Sequence, residues 1–279
     1  MKEKMNNKIK LKWKNIILIL MFLILFITLN ISIYNIIKWK LDSNKTNEEI
    51  NTIQENTNIE EVKDNKGTEI IKQAKKIPKE NPYWDYIKMN MIDVNFDNLK
   101  KINSDVVGWI KVNGTNINYP FVQSKDNKYY LTHSFSKSYN NAGWVFLDYR
   151  NNNINNRNTI IYAHGRTDKT MFGTLRKVLN NGWINNTNNY VIKISTEKEN
   201  SLWQIFSIYH IPTTNDYLQT EFKDKREYQR FLNILKNRSN HNFNTSITSN
   251  DTILTLSTCY NDSEKMVVHA KLIKKQKKY

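Results

Sequence analysis

From Ile16 to Ile37 the chain runs through 22 positions interrupted only by Thr28, Asn30, Ser32 and Asn35, and no other stretch restricts its fold as tightly. Inside hydrocarbon a backbone must satisfy its own N–H and C=O groups, so such a run is a helix. At 1.5 Å per residue it is long enough for a bilayer core of about 30 Å. Lys2, Lys4, Lys8, Lys10, Lys12 and Lys14 precede it, and the positive-inside rule keeps them in the cytoplasm with the remainder of the chain outside. Trp13 and Trp39 flank the run as interfacial anchors do. A cleavable signal peptide fits less well, because the run is too long and Ile36-Ile37-Lys38-Trp39-Lys40 lacks a small-residue cleavage site. The expectation is a single-pass protein of the cell membrane: cytoplasmic tail 1–15, anchor 16–37, extracellular stalk 38–80 and a folded domain 81–279.

The formal net charge of +16 raises the question of nucleic acid. Residues 1–40 carry eight Lys and one Glu, and residues 271–279 carry five Lys and no acid. The two ends therefore hold +7 and +5, which leaves only +4 for the body. A nucleic-acid-binding face is not supported.

Residues 41–79, rich in Asn, Glu, Lys and Thr, read as a solvated stalk. Between Tyr83 and Asn103 apolar residues recur at spacings of three to five, predicting two short amphipathic helices. Val106 to Gln123 then reads as a hairpin turning at Asn113-Gly114. Further strands are expected at 143–147, 159–162, 190–195, 202–211, 252–259 and 266–273, with helical stretches at 171–179 and 217–237. Many short strands without a βαβ rhythm predict a mainly β domain, most economically a closed barrel, since closure removes sheet edges.

The only cysteine, Cys259, stands at the end of the strand Thr252-Ile-Leu-Thr-Leu-Ser-Thr-Cys259. A solitary extracytoplasmic cysteine is a buried bland residue, an intermolecular bridge or a reactive thiol. A nucleophilic thiolate needs a base or a positive charge beside it. Of the five histidines, His133, His210, His241 and His269 carry no particular signal. His164 ends the strand Thr159–Ala163 and precedes Gly165, so it too lies where a strand gives way to a loop. There is no phosphate loop, no dinucleotide fingerprint and no His/Cys cluster with metal spacing.

Asn103-x-Asp105-Val-Val-Gly-Trp-Ile110, Tyr119-Pro-Phe-Val-Gln123, Tyr129-Tyr-Leu131, Gly143-Trp-Val-Phe-Leu-Asp148, Tyr162-Ala-His-Gly165 with Met171-Phe172, and Thr255-Leu-Ser-Thr-Cys259 together resemble the class B sortases over residues 81–273. The resemblance implies an eight-stranded β-barrel with N-terminal helices and a helix in the loop before the cysteine strand. It also implies cell-wall transpeptidation in a Gram-positive bacterium without cofactor or metal. Cys259 would attack the carbonyl after the threonine of a C-terminal sorting signal on a surface protein, forming a thioester that a peptidoglycan precursor amine resolves. His164 would be the general acid and base. The family's arginine on the strand after the cysteine is matched by Lys265, which brings charge but no planar fork. Ser257, Thr258 and Tyr162 would border the substrate groove. An impaired scaffold that only binds sorting signals and a hydrolytic cysteine peptidase are the alternatives.

Overall fold

The computed structural model describes residues 13–73, 76–152, 154 and 156–278. The basic residues Lys2 to Lys12 lie outside these. The chain divides into two compact units, Met1–Asn44 and Lys45–Tyr279. The described residues of the first belong to a long helix, α1 (Trp13–Glu55), whose side chains from Ile17 to Ile37 are exposed and which is long and apolar enough to cross a membrane.

The second unit starts earlier than the sequence suggested. Residues 45–80, expected to be a solvated stalk, contribute to the fold: Ile50 and Ile53 of α1 are only 8% and 4% exposed. The polar majority of this segment faces water while a sparse apolar stripe, three residues apart, is enough to dock one helix face. β1 (Ile59–Val62) and β2 (Thr68–Ile70) follow, then α2 (Tyr83–Tyr86), β3 (Met91–Val94) and α3 (Asp97–Ile102). The predicted helix pair at 83–103 is thus interrupted by β3. Its apolar residues meet β1 in antiparallel register from Ile59↔Val94 to Val62↔Met91, and that pairing overrides the helical spacing.

The barrel is made of β4 (Val106–Val112), β5 (Asn118–Val122), β6 (Phe146–Leu147), β7 (Asn158–Tyr162), β8 (Val191–Ser195), β9 (Glu199–Pro212), β10 (Ile253–Cys259) and β11 (Glu264–Lys277), with α4 (Asn181–Ile184) between β7 and β8 and α5 (Lys225–Asn237) between β9 and β10. Around the wall the order is β10-β7-β6-β5-β4-β8-β9-β11, and pairing of β10 with β11 closes the circle. These are the eight strands expected. β2 adds to the free side of β11 at Lys274–Gln276. β6 is shorter than the run 143–147 because Gly143 turns the chain with φ +60°.

β11 continues past the strand expected at 266–273 as far as Lys277, and Lys274 is fully buried with its ammonium 2.7 Å from Asp64. The helix expected at 217–237 begins at Lys225, where the Asp224 carboxylate accepts the Glu227 N–H at 2.8 Å as an N-cap. Leu254, Leu256, Met266 and Val268 fill the barrel. A second apolar layer outside it joins Ile253 and Val267 to Tyr228, Phe231, Leu232 and Leu235 of α5. β10 is therefore covered on both faces, which its near-continuous aliphatic sequence requires.

Candidate active site

Every residue of β10 from Ile253 to Thr258 is buried, and Cys259 is the first to emerge. The strand is held on both sides. It runs parallel to β7 from Ile253↔Asn158 to Ser257↔Tyr162, and antiparallel to β11 down to Cys259↔Lys265. Two residues beyond Ser257 stands Cys259, and two beyond Tyr162 stands His164, so the parallel register delivers both to the same rim. Past the last ladder pair, the Thr258 hydroxyl donates to the Ala163 carbonyl at 2.7 Å. Gly165 packs so closely that a Cβ there would lie 2.2 Å from the Cys259 carbonyl oxygen.

Opposite Cys259, Lys265 directs its ammonium to the sulfur, with Nζ 3.2 Å from Sγ. His164 is half-buried, and its Nε2 lies 2.8 Å from the Leu131 carbonyl oxygen. A carbonyl only accepts, so this contact assigns the proton to Nε2 and leaves Nδ1 to take or give one. No hydrogen bond joins His164 to Cys259.

The other expected site residues stand near the rim with their hydroxyls engaged inside the protein. Ser257 is 4% exposed and shares a hydrogen bond with the Tyr217 phenol at 3.0 Å. Thr258 is tied to Ala163 as described. The Tyr162 phenol donates to Asp148 Oδ2 at 2.9 Å. Burial pushes the Tyr162 phenol up, and the adjacent Asp148 charge pushes it the same way. Asp148 is fully buried, which alone would raise its carboxyl. The forked Arg150 guanidinium, at 2.9 Å and 2.7 Å, nevertheless holds it below the usual carboxylate range. Asn127 donates to the same carboxylate at 3.0 Å.

Sequence reasoning missed three parts of this neighbourhood. Tyr217 comes from the loop before α5 and sits under Ser257; burial raises its phenol, and the Cys259 sulfur adds to the effect. Tyr260, immediately after the cysteine, stacks on His210 at 4.6 Å, and the Arg176 guanidinium lies 5.5 Å from the same ring. His210 in turn bonds Glu264 at 3.0 Å, bracing the short turn between Cys259 and Lys265. The Leu131 carbonyl had no side-chain signal to find, whereas the aromatic Tyr260 beside the thiol could have been noticed.

A closed barrel with a thiol, an imidazole and an ammonium on one rim defines a class of cysteine acyl-transfer enzyme. The sortase domain family matches residues 110–273. Sortase B of Staphylococcus aureus is 39% identical over 184 residues, covering 64% of this chain and 75% of that protein. A solved Bacillus anthracis protein described as similar to sortase B superposes with a TM-score of 0.62 at 36% identity, covering 83% of this chain and 94% of that one. The Staphylococcus aureus sortase B-substrate complex superposes with a TM-score of 0.60 at 38% identity, covering 64% and 84% respectively. The chain belongs to the sortase family and, within it, is a class B sortase: a cysteine transpeptidase of the cell wall.

Proposed function

We propose that this enzyme cleaves a C-terminal sorting signal after its threonine and joins the upstream protein to a peptidoglycan amine. The Cys259–Lys265 contact of 3.2 Å at the end of β10 carries the reading. Cys259 passes its thiol proton to His164 Nδ1 and, as the thiolate beside Lys265, adds to the threonine carbonyl carbon to give a tetrahedral oxyanion. His164 then protonates the departing amine from Nδ1, and collapse leaves a thioester on Sγ. The incoming amine gives its proton back to His164 as it attacks the thioester, and the thiolate returns. Lys265, relieved of the thiolate once acylation begins, is free to turn its charge toward the developing oxyanion. One ammonium supplies charge without the two parallel N–H bonds of a guanidinium. Ser257, Thr258 and Tyr162 border the groove and act by fixing its walls.

The exposed apolar helix of the first unit is the membrane anchor, single-pass, with the N-terminus cytoplasmic and the catalytic unit outside. Residues 16–37 span the bilayer. The likeness to a sortase B solved with substrate supports sorting-signal-bearing surface proteins as donors.

The test is the full chain in detergent micelles with a panel of sorting-signal peptides, with and without triglycine as amine. Ligated peptide is the expected product. Cleavage that triglycine leaves unligated would make the enzyme a hydrolase, and loss of neither reaction in His164→Ala would remove histidine from the mechanism.

A further inference from the structure

The carbonyl that holds His164 belongs to Leu131, the last residue of a single 3-10 turn, Tyr129–Leu131. So short a turn takes its position from its surroundings. Beyond it the chain makes an excursion from Thr132 to Gly143 and returns against the same turn. The Asn140 N–H donates to the Thr132 carbonyl at 2.9 Å, and the Trp144 N–H to the Tyr130 carbonyl at 2.9 Å. Gly143 backs directly onto the turn, where a Cβ would come within 2.5 Å of the Tyr130 oxygen and 2.9 Å of the Leu131 oxygen. Any movement of this excursion is therefore passed to the carbonyl that orients the imidazole.

The C-terminal part of α1 grips the excursion on both arms. At the tip, the Glu49 carboxylate accepts the Ser136 N–H at 2.7 Å and the Ser134 hydroxyl at 3.2 Å. On the return arm, the Thr46 hydroxyl oxygen accepts the Asn140 side-chain amide at 3.0 Å. Thr46, Glu49, Ile50 and Ile53 fall on one helical face. Ile50 and Ile53 lock that face into the core. Thr46 and Ser134 are 1% and 3% exposed, so their bonds are sheltered from water, while the Glu49 bond to the Ser136 N–H lies at an exposed turn. A charge-assisted bond from a carboxylate to a backbone N–H is the strongest of the set.

We propose that Glu49 is a positioning residue for transpeptidation: by clamping the Ser134–Ser136 turn it holds the Leu131 carbonyl where it keeps the His164 proton on Nε2 and leaves Nδ1 for the reaction. The proposal rests on His164 being the proton carrier. It makes the segment following the membrane anchor part of the catalytic apparatus, not a tether.

The test compares wild type with Glu49→Ala, Glu49→Gln, Ser134→Ala and His164→Ala in the full chain, in detergent micelles. Three quantities are read: turnover of the peptide panel with triglycine, the 15N signals of the His164 ring, and the melting temperature. Glu49→Ala should lower kcat by roughly 10- to 100-fold with little change in KM. Its ring signals should move from a single Nε2–H tautomer to a mixture at temperatures well below melting. Ser134→Ala should shift both readouts in the same direction by less. Glu49→Gln keeps an acceptor oxygen in place and should recover most of the activity. Unchanged ring signals and kcat in Glu49→Ala, a fall in melting temperature alone, or a Glu49→Gln no better than Glu49→Ala would each overturn the proposal. Full turnover in His164→Ala would instead sink the reading beneath it, whatever Glu49→Ala does to the ring.

Discussion

Gly165→Ala tests whether the spacing between the His164 segment and the Cys259 segment matters as much as the geometry implies. The added Cβ would sit 2.2 Å from the Cys259 carbonyl oxygen, 3.3 Å from its carbonyl carbon and 3.0 Å from Thr258 Oγ1. Ordinary contact begins near 3.4 Å, so the two segments must part by 3.4 − 2.2 = 1.2 Å. The closest obstacles are backbone atoms, which cannot swing aside as a long side chain can. The Thr258 bond to Ala163, at 2.7 Å, pins the same two segments and would stretch with them. Overpacking of this kind costs about 1–3 kcal/mol of stability. A displacement near 1 Å between reacting groups costs roughly 100-fold in rate. The assay is kcat/KM for peptide ligation at a temperature where the variant is folded by circular dichroism, alongside the rate of Cys259 alkylation by iodoacetamide. The expected result is a folded protein with about 100-fold lower kcat/KM and a still alkylatable thiol. Wild-type kcat/KM in a folded Gly165→Ala protein would mean that the site tolerates an ångström of freedom and that this spacing does not set the rate.

Two further outcomes follow from the site and its support. Lys265→Met should lower kcat by roughly 100-fold, the scale of losing one oxyanion donor, while Lys265→Arg should retain or exceed wild-type activity in the ligation assay. Equal rates in all three proteins would remove Lys265 from the chemistry. His269 is fully buried between Tyr209 Oη at 2.8 Å and Thr255 Oγ1 at 2.9 Å, and burial, with the Arg238 charge adding to it, lowers its imidazole to about 3. The folded value lies below the unfolded value of 6.5, so this contribution to stability is complete above pH 6.5 and is lost as the pH falls from there toward 3. The loss proceeds at up to about 1.4 kcal/mol per pH unit. Urea melts of wild type should weaken across that window, and those of His269→Gln should weaken less; parallel curves would contradict the assignment.

Much of this architecture was legible because local and tertiary demands agree. Ile253 to Cys259 is a strand under any reading, being aliphatic and β-branched, and burial on both faces is what such a run needs. His164 stood out for the same reason Cys259 did, as a reactive side chain where a strand ends. The strand β3 was hidden because Met91, Ile92 and Val94 fit a helical stripe until β1 is placed against them. The docking of 45–55 was hidden because two isoleucines in a polar sequence carry little periodic signal, although they are deeply buried. Ser257, Thr258 and Tyr162, expected to border the groove, have their hydroxyls bonded to Tyr217, Ala163 and Asp148. Those partners lie 40, 95 and 14 residues away, and sequence patterns do not register pairings at such separations. The Leu131 carbonyl could not be found at all, since every residue carries the same group.

If Cys259 carries the acyl group, the thioester can be trapped on it. The full chain, mixed with the peptide panel without triglycine and quenched in acid within seconds, is measured by intact mass and then mapped by peptide mass spectrometry. The expected result is a mass increase equal to the threonine-terminated fragment less one water, located on Cys259, discharged by added triglycine and absent from Cys259→Ala. An adduct on any other residue, or ligation by Cys259→Ala at the wild-type rate, would contradict it.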